Sequence, residues 1–269
     1  MMNHIVSFSS GLSSALCCDR VIHRFHDEPI EIIFMDTTIE DDDNYRFLKD
    51  MQNLWNRPIT ILKDGRNPYQ VATDKQIIPN TMKAPCTLTL KINLFRKYVQ
   101  SKYTNSPVTL YIGYDYTETH RIPRTKSAYE KYGWIVDFPL LWKPIEVRNY
   151  SEVCELDWGI EPPRMYKQGY THANCSGICV KQGKGDWLRT LRIYPERYAQ
   201  VEAWEQKMRE HPKRLNNTIQ RDQVGPNRKT QTLTLEQLRK RHESGEQFNL
   251  FNLDFHGGCV SCGIESLGE

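Results

Sequence analysis

Short apolar runs alternate with stretches of helical spacing through the first half of this chain, and that alternation restricts it to βα units around a parallel sheet. Ile5-Val6-Ser7-Phe8 reads as a strand, followed by a Ser/Gly turn and a helix from about Ser13 to His26. Glu31 to Asp36 and Pro58 to Leu62 read as the second and third strands, with Tyr45, Leu48, Met51 and Trp55 at helical spacing between them. Leu88 to Tyr98 is helical, Val108 to Gly113 a fourth strand and Trp134 to Phe138 a fifth. After Pro144 the pattern changes: helices are expected over Trp187 to Met208, interrupted near Pro195, and over Leu233 to Ser244. The expectation is an α/β fold. An open parallel sheet of about five strands flanked by helices fills residues 1–150, and a mainly helical part fills 151–269.

Two tight cysteine pairs, Cys175-Ser-Gly-Ile-Cys179 and Cys259-Val-Ser-Cys262, constrain that second part. Thiolates on neighbouring turns can converge on one centre, and Gly257, Gly258 and Gly263 let the backbone close around it. Such a centre staples the tail onto the middle of the chain. Two disulfides are the alternative, but nothing else reads as secreted: the N-terminus enters a strand with no basic leader, and no run approaches the ~20 apolar residues of a membrane span. A cytoplasmic protein with a four-cysteine site is expected. All-thiolate ligation suits both zinc and an iron–sulfur cluster.

The net charge of +3 says little, but its distribution is uneven. Asp27 to Asp50 holds nine acids against two bases, and Glu205 to Arg241 ten Lys or Arg against four acids. The basic run reads either as a solvated helical face or as a phosphate-tracking surface.

Ser7-Phe8-Ser9-Ser10-Gly11-Leu12-Ser13-Ser14 lies between the first strand and first helix, where backbone N–H groups and a helix N-terminus favour an anion. A Ser-rich turn is also an ordinary helix cap. Asp36 ends a parallel strand, the edge where open α/β folds bind ligands, so it can meet a ribose hydroxyl or magnesium, or cap the next helix. Arg121 and Arg124 follow the fourth strand, with guanidinium forks suited to phosphate or sulfate. Asp41-Asp42-Asp43 reads as a turn and cap, Cys17, Cys18 and Cys154 as core, and Cys86 as either a reactive thiol or a packing residue.

Val6 to Leu16 resembles the pyrophosphate loop of the adenine nucleotide α-hydrolase (PP-loop) superfamily, Ser-Gly-Gly-x-Asp-Ser in its common form. The match holds at Ser9, Gly11 and Ser14, with Ser10 for the first Gly and Ser13 for the Asp, a looseness similar to that of phosphoadenosine phosphosulfate (PAPS) reductases. Phe34 to Thr38, Pro85-Cys86-Thr87 with Lys91, and Ile112 to Asp115 with Glu118 and Arg121 resemble further segments of that family. Gly159 to Tyr166, Asn174 to Lys181 and His256 to Cys262 resemble PAPS-reductase-like proteins of phages and bacteria.

The resemblance implies an adenine nucleotide, ATP or PAPS, cradled by Ser7, Ser9, Ser10, Gly11, Ser13 and Ser14, with Asp36 at the ribose or adenine and Arg121 and Arg124 at the distal anion. It also implies adenylyl or phosphosulfate chemistry, in sulfur metabolism or in sulfur transfer to a nucleotide or nucleic acid. A homodimer stays open. The 79 residues between Cys179 and Cys259 are similar to the separation in adenylylsulfate reductases, which favours [4Fe–4S] over zinc at Cys175, Cys179, Cys259 and Cys262. The tail lacks the reductases' Glu-Cys-Gly-x-His nucleophile. A different class therefore stays in view: a non-catalytic nucleotide- or nucleic-acid-binding protein with a degenerate loop.

Overall fold

The computed structural model describes residues 2–142, 150–211, 216–224 and 229–246. Five strands, β1 (Asn3–Phe8), β2 (Ile30–Asp36), β3 (Ile59–Lys63), β4 (Val108–Tyr111) and β5 (Ile135–Asp137), form one parallel sheet in the order β3-β2-β1-β4-β5. The expected five-stranded α/β architecture is what the chain adopts. Central strands of such a sheet are covered on both faces, which is why β1 and β2 are buried along nearly their whole length, with Ile5, Val6 and Phe8 in β1 and Ile32 to Met35 in β2 as their apolar centres.

Alternate residues serve opposite faces. Val6, Phe8, Ile32 and Phe34 pack against α1 (Leu12–Arg24) and α2 (Asp42–Trp55) through Cys17, Cys18, Phe47 and Met51, with Cys154 in the same cluster. Ile5, Ile33 and Met35 pack against α4 (Asn93–Lys102) and α5 (Ile122–Glu130) through Phe95, Val99 and Tyr129. The core assignment of Cys17, Cys18 and Cys154 therefore holds. Between β3 and α4 lie α3 (Pro68–Asp74), closed by an Asn67–Gln70 capping box, and a π-helical turn over Thr87–Ile92 that runs into α4.

Beyond the sheet come the short α6 (Tyr150–Glu152) and α7 (Arg164–Lys167), then α8 (Lys184–Ile193), α9 (Pro195–Arg209) and α10 (Leu235–Glu243). Pro195 separates α8 from α9, as expected from the restricted geometry of the residue before proline. An antiparallel ribbon, β6 (Gln220–Val224) with β7 (Lys229–Leu233), was not foreseen. The buried Glu205 carboxylate ties these pieces, accepting the Ile219 and Leu235 N–H groups at 2.7 Å each. A third core joins both parts of the chain: Tyr69, Ile78 and Ala84 pack with Trp187, Tyr198, Val201 and Leu238.

Candidate functional site

β2 and β4 flank β1 on opposite sides, so the strand order reverses between β1 and β4, the place where open parallel sheets leave a crevice at their carboxyl ends. The serine loop sits there. Gly11 is the N-cap of α1 with no side-chain cap, so the serines do not act as ordinary helix caps. They bond among themselves instead: Ser9 Oγ and Ser14 Oγ lie 2.9 Å apart, Ser14 Oγ donates to the Gly11 carbonyl at 2.9 Å, and Ser10 Oγ donates to the Ser9 carbonyl at 2.6 Å. Ser7 is buried within β1, and Ser13 is half-buried in the first turn of α1. Gly113 approaches that turn so closely that a Cβ there would lie 3.0 Å from the Ser13 carbonyl oxygen.

A residue that sequence reasoning passed over meets the loop from outside. The hydroxyl of Tyr166, on α7, accepts the Leu12 N–H at 3.3 Å and lies 3.1 Å from where a Gly11 Cβ would stand. It thus occupies one of the donors that an anion would use. The segment carrying it is anchored on α2: Arg46 donates to the Glu161 and Pro162 carbonyls, the Arg164 N–H to Asp43 at 2.6 Å, and the Arg164 guanidinium pairs with the buried Asp41 at 2.7 Å. Asp41 also accepts the Asp43 N–H and so caps α2, in keeping with the turn-and-cap reading.

Asp36 is only 1% exposed at the end of β2. Its carboxylate accepts from the Thr38 N–H and Tyr45 hydroxyl at 2.7 Å each and pairs with Lys63 at 2.8 Å. Burial pushes its pKa up, but Lys63, Tyr45 and the Thr38 N–H together hold it below the ordinary carboxylate value. Asp36 therefore closes the turn at Thr38, while the cap of α2 is Asp41. Arg121 is paired with Glu118 at 2.6 Å and stacked on Tyr114 at 4.5 Å from the ring centre. Its charge also reaches His172, whose pKa falls chiefly through burial. Arg124 is exposed on α5.

Cys175 and Cys179 are both buried and their thiols are within hydrogen-bond reach of one another. Bonding to Cys179 and burial both push the Cys175 thiol up; as the acceptor, Cys179 is shifted down, helped by the Lys181 N–H and by the charges of Lys91 and Lys181. Cys175 is held against the loop that follows β2. Its N–H donates to Glu40 at 2.7 Å, Glu40 accepts the Thr37 hydroxyl at 2.8 Å, and Ser176 Oγ donates to the Ile39 carbonyl at 2.8 Å. The thiol pair and the serine loop therefore occupy the carboxyl ends of adjacent strands. Beside the pair is a small void of ≈ 10 Å³, close to the least that holds one water or ion. Cys86 lines it too and at the same time packs against the third core.

Backbone strain marks the same edge. Ser10 (φ 58°), Thr38 (φ 66°), Cys175 (φ 49°) and Ser176 (φ 52°) are all left-handed, which L-residues adopt at a cost of about 1 kcal/mol or more each. Such outliers persist where surrounding structure over-determines them.

Cys259 and Cys262 lie outside the described residues. Among the described residues no three His, Cys, Asp or Glu side chains converge as a metal site, and no helix is long and apolar enough to cross a membrane. Three of the ten cations of the C-terminal basic run are held in ion pairs on α10, Arg239 with Glu202 and Glu243, Lys240 with Glu236, and Arg241 with Asp222 and Glu246.

No family model matches the chain. In sequence it is similar to an uncharacterized protein of Methanocaldococcus jannaschii, 24% identical over 199 residues that cover 71% of this chain and 44% of that protein. It is also similar to an uncharacterized nin region protein of Escherichia phage lambda, 29% identical over 147 residues, 45% of this chain and 51% of that protein. The chain spans about half the length of these curated relatives. Among solved structures it is similar to a phosphoadenylyl-sulfate (PAPS) reductase from Candida auris in a phosphate complex, with a TM-score of 0.43 and 16% identity over 63% of this chain and 79% of that one. It is similar as well to the NH3-dependent NAD synthetase of Campylobacter jejuni with nitrate, with a TM-score of 0.36 and 16% identity over 92% of this chain and 89% of that one.

Proposed function

We propose that the chain binds an adenine nucleotide, ATP or PAPS, at the β1–α1 turn and acts on it by adenylyl or phosphosulfate chemistry, in sulfur metabolism or sulfur transfer to a nucleotide or nucleic acid. The observation that carries this reading is the uncapped N-terminus of α1, preceded by the left-handed Ser10, at the crevice where the strand order reverses. Backbone N–H groups and the helix dipole supply the anion site. The sheet part, residues 1–150, supplies this nucleotide site. The part over 151–269 brings Cys175 and Cys179 to the adjacent strand end, where with Cys259 and Cys262 they would hold a [4Fe–4S] cluster or zinc. The described half of that set fits such a group: two buried thiols side by side, one of them accepting a backbone N–H. Bound there, a cluster would supply electrons, and zinc a structural cross-link. Asp36 would meet the ribose or adenine edge, and Arg121 and Arg124 would neutralise the distal anion.

Calorimetric titration with ATP and with PAPS tests the loop. Gly11→Val adds branches where a Cβ already meets Tyr166 Oη at 3.1 Å, and should abolish binding while leaving the sheet intact. Unchanged affinity removes the loop from the site. Tyr166→Phe frees the Leu12 N–H and should tighten binding by up to about tenfold, the worth of one hydrogen bond. Weaker binding in that variant would mean that the hydroxyl contacts the ligand instead of competing with it. Replacing Arg121 and Arg124 together with Ala should weaken nucleotide binding by about tenfold or more with a small change in melting temperature. A large stability loss with binding intact would assign Arg121 to its Glu118 and Tyr114 contacts alone.

A further inference from the structure

Three segments distant in sequence meet at one oxygen beside the serine loop. The Tyr166 hydroxyl accepts the Leu12 N–H at the start of α1 and also the Ala173 N–H. The peptide that joins His172 to Ala173 is therefore separated from the first turn of α1 by that single oxygen. Asn44 of α2 donates to the Ala173 carbonyl, the Cys175 N–H to Glu40, and Ser176 Oγ to the Ile39 carbonyl. Residues 173–176 are thus fixed over the carboxyl end of β2, and His172, half-buried, stands where that fixed run begins. From the other side comes Arg121, in the short helical turn after β4, whose charge acts on the His172 ring. The imidazole accordingly lies at the crevice between β1 and β4, with the α1 N-terminus on one side and a guanidinium on the other.

Burial and the Arg121 charge both disfavour a proton on the ring, so His172 is held below the ordinary histidine value. Arg121 is itself paired with Glu118, and burial keeps the proton on the Tyr166 phenol. An imidazolium facing a guanidinium is a repulsive pair. A doubly charged phosphate or sulfate placed between them reverses the sign, because it attracts both and is attracted in turn by the helix N-terminus.

We propose that His172 is a ligand residue of the nucleotide site, its ring bonding the phosphate or sulfate group held between the α1 N-terminus and Arg121. This deepens the nucleotide reading above and rests on it. One consequence separates the role from simple packing. The arriving anion raises a pKa that burial and Arg121 keep low in the free protein, so the ring takes up a proton on binding. Affinity then falls as pH rises from the free value of His172 to its bound value.

Calorimetric titration of the full chain with ATP and with PAPS, in two buffers of different ionisation heat, counts the protons exchanged. Near pH 6.5, the ordinary histidine value, the parent should take up more protons per nucleotide than His172→Gln, by up to about one. The nucleotide's own protonation cancels in that difference. His172→Ala should weaken binding by about tenfold or more, the worth of a charge-assisted hydrogen bond, and should flatten the decline of affinity with pH. His172→Gln keeps a side-chain donor and should retain more affinity than His172→Ala. A histidine that only packs would change the melting temperature and leave the proton count alone. Equal proton uptake in the parent and His172→Gln would overturn the proposal, and so would unchanged affinity in His172→Ala. Should His172→Ala fail to fold, the proton count of His172→Gln decides. A parent that binds neither ATP nor PAPS would remove the nucleotide reading, and this proposal with it.

Discussion

Protein purified without oxygen is expected to be brown and to carry about four iron and four sulfide atoms per chain, and Cys175→Ser or Cys179→Ser should abolish both signals. The expectation draws on more than spacing. The two thiols are buried at the carboxyl end of the sheet, and one accepts a backbone N–H. The turn that presents them runs through three left-handed residues, Cys175, Ser176 and Gly177. A chain that stores strain in the turn presenting two thiols gains from an occupant that repays it. Because Cys259 and Cys262 would complete the set, losing the centre should also lower the melting temperature, since binding free energy at a structural site is folding free energy. Colourless protein with about one zinc per chain would change the occupant and keep the site. Metal-free parent protein with no free thiols at these four positions would restore the disulfide alternative.

How much of this was legible in the sequence differs from element to element. The sheet was, because the centres of β1 and β2 are buried on both faces and carry short apolar runs, Ile5-Val6 with Phe8 and Ile32 to Met35, between polar ends. Cys17 and Cys18 were placed correctly from their position on a helix that follows a central strand. α3 was missed because it is only seven residues long and is set by the Asn67–Gln70 capping box more than by apolar period. The ribbon was missed because Gln220 to Val224 and Lys229 to Leu233 are polar strands whose pairing depends on each other.

Within the site, the left-handed turns at Ser10, Thr38 and Cys175 carry no sequence mark, since none is a glycine. The positions of Tyr166, Cys86, Lys91 and Lys181 depend on contacts between distant segments. Pro85-Cys86-Thr87 with Lys91 and Asn174 to Lys181 are distant segments of the sequence; their meeting around one void is a product of the fold.

Gly113→Ala should destabilise the protein by about 1–3 kcal/mol and weaken nucleotide binding at the same time. At this position the constraint is distance and not dihedral angle. A Cβ would lie 3.0 Å from the Ser13 carbonyl oxygen, 3.1 Å from Ser14 Cα and 3.2 Å from the Ser13 carbonyl carbon. All three are backbone atoms in the first turn of α1, so no side chain can rotate away to make room. Either β4 backs off from β1, against the parallel ladder that pairs Val6 with Tyr111, or the first turn of α1 shifts. The second response moves the Leu12 N–H and the Ser9–Ser14 bond, the groups that build the anion site. For a protein of this size each kcal/mol lowers the melting temperature by about 2–4 °C, so thermal denaturation resolves the first effect and titration with ATP the second. Gly113→Val should worsen both. Comparing the two responses ties fold to function: a variant that melts lower yet binds as the parent does would mean that β4 had moved and the serine loop had stayed. Stability and affinity both unchanged would mean that the close approach of β4 to α1 is not what positions the loop.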